Sequence, residues 1–249
     1  MRGAAILRTA ALLIPALTAS LASAAPSIPA YINAAVADNA RPAEDKQRDA
    51  DRRPAETLAF AGVKPGDTVI EIAPGKGYYT RLLSAVVGPK GKVYAVGPQP
   101  KPDAPPPPVQ TIAADPHYSN VTVSLQKIPD LKLPEGVDLV WTTQNYHDLH
   151  NSHDVDVAKV NSAFFTALKS GGTYFLLDHA AEAGSGGRDT STLHRIDEET
   201  VKQEVTAAGF RLVGESDILR NKSDPHTAKV FDPEIRGHTD QFALKFKKP

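Results

Sequence analysis

The sequence predicts an α/β fold in which helices cover both faces of a mostly parallel sheet. Short runs of Val, Ile, Leu and Tyr recur along the chain without polar alternation, a pattern typical of strands buried on both faces. Helix-like segments separate these runs, which indicates strand–helix–strand units. A chain of 249 residues is long enough for one sizeable core, so we expect a single domain to carry the sheet.

The order of the elements follows from these runs and from the turn residues between them. An amphipathic helix begins near Pro54 and ends at Gly62, and a K-P-G-D turn follows it. The predicted strands cover 68–73, 92–96, 121–125, 137–142, 173–178, 211–215 and 240–246. The predicted helices between them cover 78–87, 154–169 and 197–208. The proline-rich stretch 97–108 predicts a stiff surface loop bordering the site, because proline has no amide hydrogen for a sheet ladder.

Residues 1–24 have the pattern of a secretory signal. Two arginines flank the start of an uncharged Ala/Leu-rich stretch, and the small residues of A-S-A fit a signal-peptidase site ending at Ala24. We expect cleavage there and an exported mature chain, periplasmic or secreted; an uncleaved membrane anchor is the alternative. Residues 25–52 are rich in Ala, Pro and charge and predict a solvated helical arm, and residues 53–249 form the domain.

The composition argues against several classes of partner. The 28 basic and 29 acidic residues nearly cancel, whereas a nucleic-acid-binding protein usually has a strongly basic face, so we expect no nucleic-acid partner. Beyond the N-terminal segment no apolar run reaches the roughly 18 residues that span a membrane, so no stable insertion is expected after cleavage. The absence of cysteine removes disulfides and thiolate metal ligands.

The stretch VIEIAPGKGYYT, residues 69–80, ends a buried strand in a glycine-rich turn and then starts a helix. Ligands of open parallel sheets bind beyond the carboxyl ends of the strands, where this turn lies. Gly75 and Gly77 allow the backbone to approach a ligand, and the helix from Tyr78 points its amides there. Glu71 needs a cationic or hydrogen-bonding partner if buried, such as an aminoacyl ammonium. The spacing fits neither a Walker P-loop nor a dinucleotide G-x-G-x-x-G.

The E-x-A-P-G-x-G turn after T-V-I resembles motif I of the class I S-adenosylmethionine-dependent methyltransferases. The resemblance continues through GPKGKVYAV, EGVDLVWT, LKSGGTYFLLDH, QEVTAAGFRLVGES and TDQFALKF, and covers about residues 53–247. The segments AFAGVKPGDTVIEIAPGKGYYT and QNYHDLHN are similar to a smaller group of predicted methyltransferases with export signals. The resemblance implies a Rossmann-like, seven-stranded, mostly parallel sheet with an antiparallel last strand. It also implies methyl transfer from S-adenosylmethionine to an O or N atom of a small molecule.

The same resemblance implies roles for particular residues. The loop that holds the amino-acid and ribose parts of the cofactor matches Glu71, Ala73, Pro74, Gly75 and Gly77. Asn145 and Tyr146, after the fourth strand, match the segment that faces the reactive methyl group. Two positions depart from the family on the adenosine side. The acid that usually ends the second strand is replaced by Gly-Pro-Gln at 97–99, and the acid that commonly contacts adenine falls near Lys127.

The segment QNYHDLHNSHD after the predicted fourth strand contains three of the eight histidines. His147 with Asp148 predicts a general base pair, because imidazole titrates near neutrality and a carboxylate can orient it. A divalent-metal site is the less favoured chemical alternative, with ligands among His147, His150, Asp178 and His179. The third alternative is structural, with the histidines capping a helix and packing. We therefore predict a site without a metal.

Two further features leave alternatives open. His194 and Arg195 follow the Gly-rich AEAGSGGRD segment and either face the site from a mobile lid or form an ordinary helix cap. The rival function is an exported, non-catalytic ligand-binding protein that keeps the methyltransferase fold. The missing second-strand acid favours that rival, as does export, since S-adenosylmethionine is made in the cytosol. Lyase or isomerase chemistry on the same scaffold is a third alternative.

Overall fold

The computed structural model describes residues 27–249, so the predicted signal 1–24 and its cleavage site lie outside the described residues. The strands within this range are β1 Thr68–Ile72, β2 Lys92–Pro98, β3 Val121–Gln126, β4 Val137–Thr143, β5 Leu168–His179, β6 Arg211–Ser216 and β7 Gln241–Lys247. The helices are α1 Ala30–Ala37, α2 Ala43–Gln47, α3 Asp49–Arg52, α4 Pro54–Ala61, α5 Tyr78–Val87, α6 Pro108–Ala113, α7 Val157–Ala167, α8 Thr190–Leu193 and α9 Glu198–Ala207. Among residues 27–249, no helix is both long and apolar enough to cross a membrane.

The seven strands form one sheet in the order β3-β2-β1-β4-β5-β7-β6. Strands β1 to β5 pair in parallel, and β7 runs antiparallel to both β5 and β6. The predicted fold, a mostly parallel Rossmann-like sheet with an antiparallel last strand, is confirmed. The chain order reverses between β1 and β4, so the carboxyl ends of these two strands flank the topological switch point.

Two apolar cores cover the two faces of the sheet. In β1, Val69 belongs to one core and Ile70 to the other, as the alternation of side chains along a strand requires. The first core includes residues of α1, α4, α5 and α6, and the second includes residues of α7 and α9. Trp141 is fully buried in the first core, where its ring centroid lies 4.9 Å from that of Tyr79. The continuous apolar strands are therefore explained by burial on both sides.

The N-terminal arm is not the solvated segment that its composition predicts. Ile32 and Ala35 of α1 are buried in the first core, where α1 packs against α4 and α5. Arg41 is also buried, and its guanidinium forms two hydrogen bonds with the Asp49 carboxylate, at 2.6 and 2.9 Å. The segment is helical, as predicted, but it is only partly solvated, because its charged residues pair with one another and with the domain and so allow it to pack despite its polarity.

Candidate active site

A cleft opens at the carboxyl ends of β1 and β4. Its volume is about 290 Å³, and three segments line it. The first is the turn 73–76 after β1, together with Glu71 and the start of α5. The second is the segment after β4, which contributes Asn145 and Asp148, and the third is the arm. The cleft therefore occupies the switch point, where ligands of open α/β sheets bind.

The glycine-rich turn has the backbone that its sequence predicts, but its two glycines differ in role. Gly75 has φ +56°, lines the cleft, and has open space where a Cβ would lie. Gly77 has φ +80°, and a Cβ there would lie 2.0 Å from Cδ1 of Ile112. The cleft lining includes Gly75 but not Gly77. Gly75 thus leaves room for a ligand, whereas Gly77 leaves room for α6, and the cofactor-contact role of Gly77 stays a prediction.

Glu71 is a buried carboxylate at the end of β1. It is 1% exposed, and Thr80 Oγ1 donates a hydrogen bond of 2.6 Å to its Oε2. Burial raises the pKa of Glu71 to about 7, while the Thr80 hydrogen bond and the charge of Arg81 oppose the rise. Since a cation beside Glu71 would favour its charged form, this end of the cleft suits an ammonium group. The charged part of an amino acid is such a group.

The arm forms one wall of the cleft and is attached to the first turn of α5. Arg81 donates to Asp45 at 2.9 Å, and the Tyr78 hydroxyl donates to Asp49 at 2.7 Å. The Arg52 guanidinium lies 4.7 Å from the Tyr78 ring centroid and donates to Gln144 Oε1 at 2.7 Å. Sequence reasoning missed this wall. Its only signal was the density of arginine and aspartate in ARPAEDKQRDADRRP.

Asn145 and Tyr146 lie on opposite sides of the segment after β4. Asn145 lines the cleft, and its Nδ2 donates to the Ile72 carbonyl at 2.8 Å, which ties this segment to β1. Tyr146 is fully buried in the second core. Its hydroxyl donates to Glu204 and accepts from Asn161, both at 2.8 Å. Tyr146 therefore does not face the cleft, and its predicted role at the methyl group is corrected to a structural one.

His147 is oriented by Asp178, at the end of β5. Nδ1 of His147 donates to Asp178 Oδ1 at 2.8 Å, and the His147 backbone N–H donates to Oδ2 at 2.9 Å. Both side chains are buried. Burial acts to lower the pKa of His147, but the Asp178 charge and hydrogen bond raise it overall. Burial acts to raise the pKa of Asp178, but the facing imidazole lowers it overall.

Asp148, the partner predicted for His147, lies on the other ring nitrogen. Its Oδ1 is 3.4 Å from His147 Nε2, and its side chain is 54% exposed and lines the cleft. The sequence suggests Asp178 only as a metal ligand, yet it is the carboxylate that fixes the imidazole of His147. The result is a chain of groups, Asp178–His147–Asp148, that leads from the sheet to the cleft. We call it the carboxylate–histidine relay.

The other histidines of the predicted site have different surroundings. His150 Nε2 lies 3.2 Å from Glu204 Oε2, and His153 is exposed. His179 is buried with Nδ1 2.8 Å from Thr239 Oγ1, and burial lowers its pKa to about 4. The His179 ring centroid lies 6.2 Å from that of His147, and the His179 backbone N–H donates to Asp178 Oδ1 at 2.8 Å. Among residues 27–249, however, neither His150 nor His179 belongs to the group of side chains whose donor atoms lie close enough to share a metal ion with His147.

His194 and Arg195, the two residues left open by the sequence, point in different directions. His194 Nδ1 lies 3.7 Å from Asp148 Oδ1. Arg195 is fully buried and pairs with Asp224 at 2.8 Å, so it is structural. Among residues 27–249, the donor atoms of His147, Asp148 and His194 lie within 4.8 Å of one another. Imidazole and carboxylate are ligands that divalent transition metals accept, and this set differs from the one considered from the sequence.

The adenosine side of the sheet edge has a different character. Gly97 is buried, and a Cβ there would lie 3.3 Å from Leu125 Cδ2 and 3.8 Å from Pro74 Cδ. Gln99 is exposed, and its backbone N–H donates to the Gln126 carbonyl. The side chains that line the cleft include none from the segments after β2 and β3. The residues present therefore fit the amino-acid part of S-adenosylmethionine better than its nucleoside part.

The strand order, the turn and the cleft give the chain the fold of the class I S-adenosylmethionine-dependent methyltransferases. A methyltransferase of this kind from Aquifex aeolicus has 20% identity and a TM-score of 0.58, over 84% of this chain and 99% of that one. One from Mesorhizobium loti has 15% identity and a TM-score of 0.54, over 77% and 95%. The [4+2]-cyclase SpnF has 17% identity and a TM-score of 0.60, over 82% of each chain. No protein-family model and no curated protein sequence matches.

Proposed function

We propose that this protein is a methyltransferase that transfers the methyl group of S-adenosylmethionine to an O or N atom of a small molecule. The observation that carries the proposal is that one cleft at the switch point is lined both by the glycine-rich turn and by Asp148, the exposed end of the carboxylate–histidine relay. When bound, S-adenosylmethionine supplies an electrophilic sulfonium methyl group. The neighbours with this fold support the proposal, since several of them are methyltransferases.

The residues of the turn would hold the amino-acid part of the cofactor. Glu71 offers a carboxylate to the ammonium group, and Gly75 leaves the backbone open to close approach. Asn145 fixes the segment after β4 against the end of β1. Arg52 of the arm and Tyr78 of α5 line the same cleft. Holding two reactants in such a cleft contributes to the rate mainly through proximity and orientation.

The relay is placed to accept the proton that the acceptor atom loses. A methyl acceptor that donates a hydrogen bond to Asp148 can pass its proton to that carboxylate. Asp148 Oδ1 lies 3.4 Å from His147 Nε2, to which a second transfer would carry the proton. Asp178 accepts the Nδ1 hydrogen, so Nε2 carries the free lone pair, and the Asp178 charge stabilises the imidazolium that forms. This is the arrangement of a general base with an orienting carboxylate.

Calorimetric titration with S-adenosylmethionine and S-adenosylhomocysteine tests the proposal first. We expect both to bind, and we expect a screen of catechols, phenols and small amines to yield a methylated product detected by mass spectrometry. Absence of binding by both compounds would contradict the proposal.

The second candidate function is an exported ligand-binding protein without catalysis. The nucleoside side of the edge favours it, because residues 97–99 provide no acid for ribose hydroxyls. Binding without turnover of any acceptor in the screen would favour this candidate. The cyclase neighbour illustrates that one fold can host different reactions, so product identity must be measured and not assumed.

We also propose export with cleavage after Ala24. The support is the sequence alone: two flanking arginines, an apolar stretch and the A-S-A site. Intact-mass measurement of protein recovered from the cell envelope should give a chain that begins at Ala25. A mass that retains residues 1–24 would contradict cleavage.

A further inference from the structure

A second cavity of about 230 Å³ adjoins the cleft. Arg48, Arg52 and Gln144 line both spaces, so they form the partition between them. The far wall includes Phe231 and Arg236 from the segment between β6 and β7. The cavity is therefore placed to hold a molecule whose other end reaches the cleft.

The cavity is unusual in the charge of its lining. Three guanidiniums, those of Arg48, Arg52 and Arg236, line it against the single carboxylate of Asp51. His179 also lines it and is neutral, since burial lowers the pKa of His179 to about 4. The lining thus carries an excess of positive charge, although the whole chain has a net charge of −1.

These arginines also differ from the others in their pairing. Among residues 27–249, six arginines have a carboxylate partner within 4.0 Å: Arg41, Arg53, Arg81, Arg188, Arg195 and Arg220. Within the same range, no such partner occurs for the three cavity arginines or for Arg211, which is exposed on β6. Burial and then the charge of Arg52 lower the pKa of Arg48, which agrees with the lack of a carboxylate partner for Arg48.

We propose that the methyl acceptor carries an oxyanionic group, a carboxylate or a phosphate, that binds Arg48, Arg52 and Arg236 in this second cavity. The inference rests on the proposed function, whose acceptor it specifies. A guanidinium presents a planar fork of donors that matches carboxylate and phosphate oxygens, and such charge-assisted hydrogen bonds are among the stronger ones.

The rim of the cavity sets the direction of the bound molecule. Phe231 is 57% exposed, and its ring centroid lies 4.8 Å from that of His194. His194 in turn lies 3.7 Å from Asp148 of the relay. An acceptor with its acid group among the arginines and its apolar body against Phe231 would direct its reactive end toward the relay. An aromatic or similarly apolar acid fits this description.

The carboxylate of S-adenosylmethionine is a second oxyanion that competes with the acid group of the acceptor for these arginines. Arg48 and Arg52 line both spaces and would serve either ligand, whereas Arg236 lines only the second cavity. Arg236→Gln therefore separates the two sources. Arg211→Gln is the matched control, because it removes an exposed arginine that also lacks a carboxylate partner.

The test is calorimetric titration of the full chain with three probes: 3,4-dihydroxybenzoate, catechol, which is the same molecule without the carboxylate, and S-adenosylhomocysteine. We expect the benzoate to bind wild type at least about tenfold more tightly than catechol, because only the benzoate offers a carboxylate for charge-assisted hydrogen bonds. Arg236→Gln should reduce that difference, because two of the three arginines remain, and should leave S-adenosylhomocysteine binding unchanged. Arg211→Gln should change neither, and thermal unfolding should show that both variants remain folded.

Each other result is decisive. The inference would be overturned if wild type bound the benzoate and catechol with equal affinity. It would also be overturned if Arg211→Gln weakened benzoate binding as much as Arg236→Gln does. Weakened S-adenosylhomocysteine binding in Arg236→Gln would assign the arginines to the cofactor and also overturn it. Failure of the proposed function has a separate signature, in which S-adenosylhomocysteine does not bind while Arg236-dependent binding of the benzoate persists.

Discussion

The two sides of the sheet edge around β1 are built differently. Toward β4 and β5, the strand ends carry polar side chains fixed by hydrogen bonds, among them Asn145 on the Ile72 carbonyl and Asp178 on His147. Toward β2 and β3, the corresponding positions are Gly97, which packs against Leu125, and the exposed Gln99. The side toward β4 and β5, where we propose the reaction and which we call the reaction side, is thus organised in advance. The side toward β2 and β3, which we call the nucleoside side, offers mainly backbone.

This difference has an energetic consequence for the proposed cofactor. A buried carboxylate such as Glu71 destabilises the free protein and is relieved by a cationic ligand, so it concentrates binding free energy at the amino-acid end. Positions 97–99 add no charged acceptor for the ribose. The comparison predicts that changes on the reaction side have large effects and that changes on the nucleoside side have small ones.

The largest effect is expected from His147→Ala. Loss of the general base should lower turnover by about 10²–10⁴-fold, with S-adenosylhomocysteine affinity nearly unchanged. Because Asp178 raises the pKa of His147, the wild-type rate should rise with pH through a midpoint above the usual 6.5, and the variant should lose this dependence. Steady-state kinetics with an acceptor from the screen measure both. His153→Ala, an exposed histidine of the same segment, is the control.

Chelation separates the alternatives for the same residue. If His147 is a general base, turnover should be insensitive to a chelator. If His147, Asp148 and His194 hold a metal, turnover should be lost with a chelator and restored by a divalent ion. Turnover of His147→Ala equal to wild type, with or without chelator, would leave the histidine with a structural role only.

The next effect compares two substitutions in the same turn, Gly75→Val and Gly77→Val. Both substitutions place a β-branched residue at a positive φ, so each variant has the same kind of backbone strain. Gly75→Val should also intrude into the cleft and weaken S-adenosylhomocysteine binding by about 1–3 kcal/mol, or about 5- to 150-fold. Gly77→Val should instead lower the melting temperature further, because its side chain meets Ile112.

Calorimetry and thermal unfolding measure these two effects separately. The comparison fails if Gly75→Val binds like wild type, or if Gly77→Val is the more stable of the two variants.

A third, smaller effect concerns Glu71 and pH. The folded pKa of about 7 lies above the ordinary value of 4.5, so the folded state holds this proton more tightly than the unfolded chain. The protonated Glu71 carboxyl therefore contributes to the stability of the folded state. This contribution is complete below a pH of about 4.5 and is lost as the pH rises through 7. An ammonium ligand prefers the charged carboxylate, so S-adenosylhomocysteine affinity should increase about tenfold from pH 6 to 8.

Glu71→Gln tests this assignment, because the amide is neutral throughout. The variant should bind with little dependence on pH and should match wild type most closely at pH 6. Calorimetric titrations at several pH values, in buffers of equal ionic strength, provide the measurement. A pH dependence that persists in the variant would assign it to another group.

The sequence predicted the fold and the turn well because local physics decides both. Helix α5 has the predicted bounds, and Gly62 ends α4 in a left-handed conformation as its position suggests. Continuous apolar runs specified strands buried on both faces, and only their ends moved by a few residues. Helices α6 and α8 were missed because six and four residues are too few to show a period of 3.6.

The site was harder to predict because its pairings join distant segments. Asp178 orients His147 across 31 positions, whereas the sequence offered the adjacent Asp148. Tyr146 follows Asn145 directly, yet it faces the second core, where Glu204 and Asn161 satisfy its hydroxyl. Arg52 reaches Gln144 over 92 positions, so the arm wall was invisible to spacing alone. Tertiary contacts of this kind leave no periodic signal.

The smallest effect is expected on the nucleoside side, from Gln99→Glu. The side chain is exposed at the end of β2, beside the position where the family carries its ribose-binding acid. A carboxylate there gains a hydrogen bond to ribose in a solvent-screened place, so we expect about threefold tighter S-adenosylhomocysteine binding, or roughly 0.6 kcal/mol. Gln203→Glu on α9 makes the same charge change away from the cleft and should leave affinity unchanged. A gain of a hundredfold or more would show that the nucleoside side was limiting, and equal gains in both variants would indicate a general charge effect. No gain at Gln99 would mean that the nucleoside lies beyond reach of this strand end, and the contrast between the two sides of β1 would then be one of position as well as chemistry.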